Sequence, residues 1–407
     1  MYNVGFGDCF LLEFPRAGEK PFRVLVDCGA HRAGYPRPGW KPEETVDRVV
    51  ADITEDGGDP VLDVVVATHR HEDHVSGFRA AAWSRVTVGE VWMPWTEHPT
   101  DPLAAEIRNR QSRLALGLQR AFDGPGFAMR WSDQDRATAL RELAANSLTN
   151  AEAMSTLHRG FRGRPRRRFL PETERSIVSD RCPGLTVHVL GPSRDPEVIR
   201  DMDPPAGQSY LRFIDQVPAT DLRPGRAHVP FAPSFTFDAP RYEADGAVWL
   251  DPAVKEAARA MMRDDDFSVA VSLDKAVNGT SLMLMFEMGE AYLLFPGDAQ
   301  WGTWDAVLAD SQTRDLVART TFYKVGHHGS HNATPTEFVE GAIEKRLWGA
   351  AASVREIGFW PEIPRGPLLD ALEARADRVV RSDRPGRSRA GVGVRRGGTG
   401  VDFKIPW

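Results

Sequence analysis

Residues His69 to His74 hold three imidazoles and two carboxylates in the stretch Thr68-His69-Arg70-His71-Glu72-Asp73-His74. The pattern is His-x-His-x-Asp-His. Imidazole and carboxylate are the groups that bind zinc and similar divalent ions. Alternate residues of an extended segment point to the same side, so His69 and His71 can grip one ion. Asp73 and His74 lie at the turn into the next segment and can face a second. Four polar residues in a solvated loop would be the bland alternative. The placement of this cluster directly after an apolar run argues against it.

That run is Val61-Leu62-Asp63-Val64-Val65-Val66-Ala67, short and β-branched, and it reads as a buried strand. The stretch from Val75 to Trp83 reads as a helix. Three other stretches repeat the plan of a strand ending in polar residues. They are Val24-Leu25-Val26-Asp27-Cys28-Gly29, Leu293-Leu294-Phe295-Pro296-Gly297-Asp298 and Lys324-Val325-Gly326-His327-His328-Gly329-Ser330.

Taken in order with Val4-Gly5-Phe6-Gly7-Asp8, these stretches resemble the metallo-β-lactamase fold superfamily. Within it they are most similar to the ComEC-like branch, the DNA-uptake competence proteins and their soluble relatives. The motifs run from residue 4 to residue 330. They are most specific at 68–74 and 324–330, and weak alone at Gly297-Asp298. The resemblance implies an α/β fold: a four-layer αββα sandwich with the site at one edge between two sheets. It implies two divalent metal ions per chain, zinc first and manganese as the alternative. His69 and His71 match ligands of the first ion, and Asp73 and His74 ligands of the second. Asp298 matches the carboxylate that bridges both. His327 matches the last ligand, with the adjacent His328 as the alternative. The histidine that usually completes the first metal site is replaced by Asn278, a weaker donor. His188 is the other candidate for that place, or a core histidine. Asp8 and Asp27 read as supports for turns or for the ligands. Lys324, Ser330, His331 and Asn332 are close enough in sequence to contact a substrate, or to serve loop hydrogen bonds.

Bulk properties narrow the classes. A formal charge of −6 leaves no global basic footprint for nucleic acid. There is no run of about 18 apolar residues, so no membrane-spanning helix is expected. The start of the chain lacks the pattern of a secretory leader, and a cytoplasmic protein is the expectation. Cys9, Cys28 and Cys182 are odd in number and lack C-x-x-C spacing, which disfavours a disulfide framework. Nothing in the sequence sets an oligomeric state.

Along the chain, residues 1–94 read as the first half of the sandwich. Residues 95–180 read as a helical cap insertion, with helices at 103–122 and within 133–157. Residues 181–407 read as the second half, carrying a proline-rich, loop-rich insertion at about 194–265 with one helix at 252–262. Strands are expected at 185–190, 281–287 and 291–295, and a hairpin at 391–400. Both insertions are expected to cover the mouth of the site. Arg159, Arg162, Arg164, Arg166, Arg167 and Arg168 fall within ten residues. They read as a solvated basic turn or as a funnel for a phosphate-bearing substrate.

Two metals can hold a hydroxide at neutral pH and polarise a phosphoryl or carbonyl oxygen. Asp73 and Asp298 are then the catalytic carboxylates, with Asp73 placed to orient the nucleophile. The expectation is a metal-dependent hydrolase of phosphate esters, a phosphodiesterase or nuclease. Its partner would be a phosphate-bearing substrate, nucleic acid included. A hydrolase of carboxyl compounds (lactone, thioester or β-lactam) is the second reading, since a fold does not fix a function. A binding module with a degenerate site is the third.

Overall fold

Alternation along the strands builds two sheets that share one apolar interior. The computed structural model describes residues 1–54, 58–123, 150–172, 175–205, 207–210, 275–357 and 363–407. They belong to one compact unit, Met1–Tyr210 with Ala270–Trp407. Residues 133–149 of the helical stretch expected within 133–157, the helix expected at 252–262, and most of the 194–265 insertion lie outside the described residues.

The first sheet holds β1 (Cys9–Phe14), β2 (Phe22–Cys28), β3 (Val61–Val66), β4 (Thr87–Pro94) and β5 (Arg166–Leu170), in that order. β1 is antiparallel to β2, and β2 to β5 run parallel. The second sheet comprises β6 (Ser176–Val178), β7 (Leu185–Gly191), β8 (Met283–Met288), β9 (Ala291–Phe295), β10 (Phe322–Lys324), β11 (Gly349–Ala352) and β12 (Val379–Arg381). Its order is β12-β11-β10-β9-β8-β7-β6. β9 to β12 are parallel, and β6 to β9 alternate in direction. A separate hairpin joins β13 (Val392–Val394) to β14 (Val401–Phe403).

Side chains two apart on a strand face the same way. On β2, Val24 and Val26 enter a cluster with Leu284, Phe286, Phe295 and Phe322, so the two sheets pack face to face. Leu25 points the other way, into a cluster with Val46, Val49, Val50 and Ile53 of α1 (Pro42–Ile53). Their spacing is that of an apolar helix face laid on a sheet. On the second sheet, Met283, Met285 and Tyr323 pack against Trp304 of α6 (Trp301–Ala309), Val317 of α7 (Ser311–Ala318) and Leu372 of α8 (Gly366–Arg375). Helices therefore cover the outer face of each sheet, and the molecule is an α/β sandwich. The remaining helices are α2 (Glu72–Val75), α3 (Pro102–Asp123), α4 (Ala151–Ser155) and α5 (Pro196–Arg200). None among the described residues is long and apolar enough to cross a membrane.

Two expectations change. The helix expected over 75–83 is α2 followed by two separate 3-10 turns, Ser76–Arg79 and Ala81–Arg85. Ala80 between them is extended, and the Trp83 indole donates to the Gly77 carbonyl at 2.9 Å. Tertiary contacts thus override a weak local preference that Gly77 lowers further. The segment 95–180 is also not a helical cap throughout. β5 completes the first sheet beside β4, and β6 pairs with β7 in the second. The run of arginines hid β5, because only Phe169 and Leu170 in it are apolar.

Candidate metal centre

Parallel strands deliver their C-terminal ends to one edge, and polar loops follow those ends. Thr68 to His74 follow β3. Asp27 closes β2, Asp298 follows β9, His327 and His328 follow β10, and Ser353 follows β11. Leu282 donates to the Thr68 carbonyl at 2.8 Å and so ties the second half of the chain to the loop after β3.

Two close approaches fix the loops. A Cβ on Gly29 would stand 2.4 Å from the His74 carbonyl carbon, so only glycine lets β2 run beneath α2. Gly297 has φ +56, a conformation that favours glycine, and sits against Thr68 and Leu282. It turns the chain so that Asp298 faces the histidines.

Asp73, His74, Asp298 and His328 come together as one buried group. His74 Nε2 lies 3.2 Å from Asp298 Oδ2 and 3.8 Å from Asp73 Oδ2. His328 Nε2 lies 3.1 Å from Asp73 Oδ2 and 3.9 Å from Asp298 Oδ2. Beside this group, His69 Nε2 and His71 Nδ1 are 3.1 Å apart, and the His69 ring packs on His74 at 4.1 Å. A tetrahedral ion with bonds of about 2.0 Å has donor–donor edges of about 3.3 Å. The separations bracket that edge. Asp73 Oδ1 and Asp298 Oδ1 are buried with no hydrogen-bond partner among the described residues. Buried carboxylate oxygens are costly unless a cation or donor meets them. The donor set therefore fits divalent metal.

The supporting bonds aim the imidazoles. Asp27 accepts from His74 Nδ1 at 2.8 Å, and from the Thr68 backbone and hydroxyl at 2.7 Å each. His328 Nδ1 donates to the Ser353 carbonyl at 2.8 Å. Both bonds leave Nε2 facing the carboxylates, the arrangement that orients a ligand histidine. Asp27 holds this post with φ +56, an uncommon backbone conformation for a side-chain-bearing residue.

Electrostatics divides the imidazoles. Burial pushes His69 well down, and pushes His71 down to about 4, with the charge on His74 adding to both. Burial opposes charge on His74 too, but Asp298, Asp73 and Asp27 outweigh it and raise that imidazole. His328 is likewise raised against burial by Asp8, Asp73 and Asp298. Asp73 and Asp298 are held far below the usual carboxylate range. Burial works against this, and the positive charge on His74 does most to overcome it.

The alternatives left open at residues 327 and 328 are now distinguished by position. His328 is fully buried within the group of four. His327 lies at its margin, with Nε2 3.8 Å from Asp298 Oδ2 and 3.4 Å from Asn278 Nδ2. Both have positive φ, 43° and 51°, and this double turn swings the two rings apart. Asn278 is buried at the same margin, where the sequence placed it, and hydrogen-bonds to His71.

Other candidates serve different ends. His188 bonds Glu287 at 2.6 Å and Ser176 at 3.0 Å across neighbouring strands, apart from the group. Lys324 is no open substrate contact. It is buried, pairs with Asp8, and lies 3.7 Å from Asp298 Oδ1. Ser330 donates to Asn332 at 3.0 Å, and Asn332 to Gln300 at 2.5 Å, an internal chain that braces the loop after β10. His331 is half-buried, and burial with nearby Arg365 pushes it down to about 4.

The arginine cluster runs along the sheet: Arg166, Arg167 and Arg168 lie on β5 level with Val64, Val65 and Val66 of β3, and its start lies further off. Arg162 bridges to Thr87, and Thr87 pairs with Val61 at the start of β3. The five residues from there to Val66 span about 17 Å of strand, and the metal loop begins beyond them. Arg168 bonds Glu172 at 3.1 and 2.6 Å, and Arg167 bonds the carbonyls of Leu157 and Pro165. β5 is an edge strand, and positive charge on an edge deters pairing with other chains. The part of the cluster on β5 can serve that role.

The sequence missed the Asp8–Lys324 pair. Asp8 read as a support for a turn or for the ligands, and no local pattern links positions 8 and 324. A scan of protein-family models finds no match for this chain, and a search of curated proteins finds none. What the site can do therefore rests on its geometry.

Proposed function

We propose that the protein is a metal-dependent hydrolase with two divalent ions, zinc first and manganese second. The observation that carries this is the convergence of Asp73, His74, Asp298 and His328, with aimed Nε2 atoms, beside His69 and His71. His69 and His71 would hold one ion, and Asp73, His74 and His328 the other, with Asp298 between them. When bound, such a pair supplies a nucleophile from water at neutral pH and polarises the scissile group. The chain's own part is to hold the ligands and the charge. Asp27 and Ser353 lock the His74 and His328 rings. Asp73, held ionised, would orient the nucleophile by accepting a hydrogen bond beside the reacting atoms. Lys324 offsets part of the charge of Asp8 and Asp298 in a buried region where unpaired carboxylates are costly.

The order of the motifs along the chain supports placing it with the metallo-β-lactamase fold superfamily, in the ComEC-like branch. That resemblance is also what favours a phosphate ester as substrate. A panel of bis(p-nitrophenyl) phosphate, p-nitrophenyl phosphorylcholine, DNA and a simple lactone tests the proposal on metal-loaded protein. Cleavage of a phosphate ester is expected. Turnover of the lactone alone would move the assignment to carboxyl compounds, and no metal uptake would remove the enzyme reading.

A further inference from the structure

Arg70 stands between the two histidines of the first pair, and it points away from them. Its guanidinium makes a two-pronged bond to Glu97, Nε to Oε1 at 2.9 Å and Nη2 to Oε2 at 2.7 Å. Glu97 is buried in the 3-10 turn Trp95–Glu97 that follows β4. That turn is itself held. Trp95 packs with Ala104 and Ile199, and Arg108 of α3 donates to the Thr96 carbonyl. On the backbone side, the buried Asn150 amide donates to the Arg70 carbonyl at 2.6 Å. One residue is thus gripped at both its side chain and its carbonyl.

A buried ion pair is a weak source of stability, because desolvation offsets the attraction. What a bidentate arginine–carboxylate bond supplies is direction. Here it fixes the backbone between His69 and His71, whose nitrogens meet at 3.1 Å. The group of four needs no such help. His74 is set by Asp27, and His328 by Ser353. We infer that Arg70, Glu97 and Asn150 form a positioning clamp for the His69–His71 metal alone. The inference rests on the proposal that these histidines hold metal. It also gives the segment around α3 a task, coupling it to one ion and not the other.

The test is cobalt and zinc titration of the full metal-free chain, followed by calorimetry and by the visible absorption of bound cobalt. The variants are Arg70→Lys, Glu97→Gln and Asn150→Ala. Arg70→Lys keeps the charge and loses the fork. Loss of an orienting partner typically weakens a metal site about 10–100-fold. One of two ions should weaken by that factor in each variant, while the other stays within about threefold. Should Glu97→Gln fail to fold by circular dichroism, Asn150→Ala carries the test, since it removes the hydrogen bond to the Arg70 carbonyl and leaves the Arg70–Glu97 charges in place. Equal weakening of both ions, or of neither, overturns the clamp. Wild-type protein that takes up one ion only overturns it and leaves the group of four standing. Wild-type protein that takes up none sinks the metal reading itself.

Discussion

The two ends of the first sheet carry opposite kinds of charge cluster. At the C-terminal end of β3, carboxylates and imidazoles are buried and aimed at one another. At the other end, near the start of β3, Arg159, Arg162 and Arg164 are exposed. Both clusters stand out in the sequence by density alone. What separates them is burial with unmet valence. Asp73 and Asp298 have buried oxygens that lack hydrogen-bond partners among the described residues, whereas Arg162 meets Asp59 at the surface. Density marks a candidate. Strand direction and desolvation decide whether it is a site.

The strongest way to break this contrast is to remove the central carboxylate. Asp298→Ala should leave the protein folded and reduce hydrolysis of its best phosphate ester at least about 1,000-fold. Loss of a single electrostatic contact at a reacting group already costs about 10²–10³, and Asp298 would serve both ions. Thermal unfolding and steady-state rates measure the two effects. Turnover within about tenfold of wild type would contradict the assignment.

A smaller effect separates the adjacent histidines. His328→Ala should weaken metal binding by about 100-fold or more, and His327→Ala by less than about tenfold. His328 is inside the group of four and His327 at its margin. Calorimetric titration of both variants gives the ratio, and the reverse order would restore His327 as the ligand.

Much of this site was legible before any coordinates. His69, His71, Asp73, His74 and Asp298 end strands or open turns that follow apolar runs, and periodicity finds those. The sheet order was less so. β5 is written in arginines because it is an edge, where one side of the strand need not be apolar. Choosing between His327 and His328 depends on two residues with positive φ, which no pattern at that spacing reveals. Asp8 with Lys324, and Arg70 with Glu97, are contacts between distant or outward-facing residues. The first exists only once strands from both halves of the chain meet, and the second only once β3 and β4 lie side by side.

The buried end should also show in proton release. The carboxylates raise His74 and His328 in the metal-free protein, so both carry protons that an ion must displace. Binding should therefore loosen as pH falls, by up to about tenfold per unit for each proton displaced. His69 and His71 are pushed down and add nothing to this slope near neutrality. Above the unfolded imidazole value of about 6.5, stability of the metal-free chain should move the other way, and below it the lowered His69, His71 and His331 reverse the slope. A raised imidazole stabilises the fold below its unfolded value of about 6.5, and that contribution is lost as pH rises through the folded value. Titrations in buffers of different ionisation enthalpy count the protons. Metal affinity that is flat with pH would contradict the ion-paired site.

The smallest expected effect tests the exposed end. Replacing Arg159, Arg162 and Arg164 together by glutamine should change KM for a phosphate ester by less than about twofold, with its salt dependence intact. A charge about two Debye lengths from the metals, screened by water, contributes little at physiological ionic strength, where that length is about 8 Å. The same substitutions should matter for solubility, because they strip charge from the approach to an edge strand. Light scattering on heating would record that. If KM instead rises several-fold and its salt slope flattens, a long polyanion must reach from the metals along β5 to this end. That result would favour nucleic acid over a small ester, since only an extended substrate could feel both ends of the sheet at once.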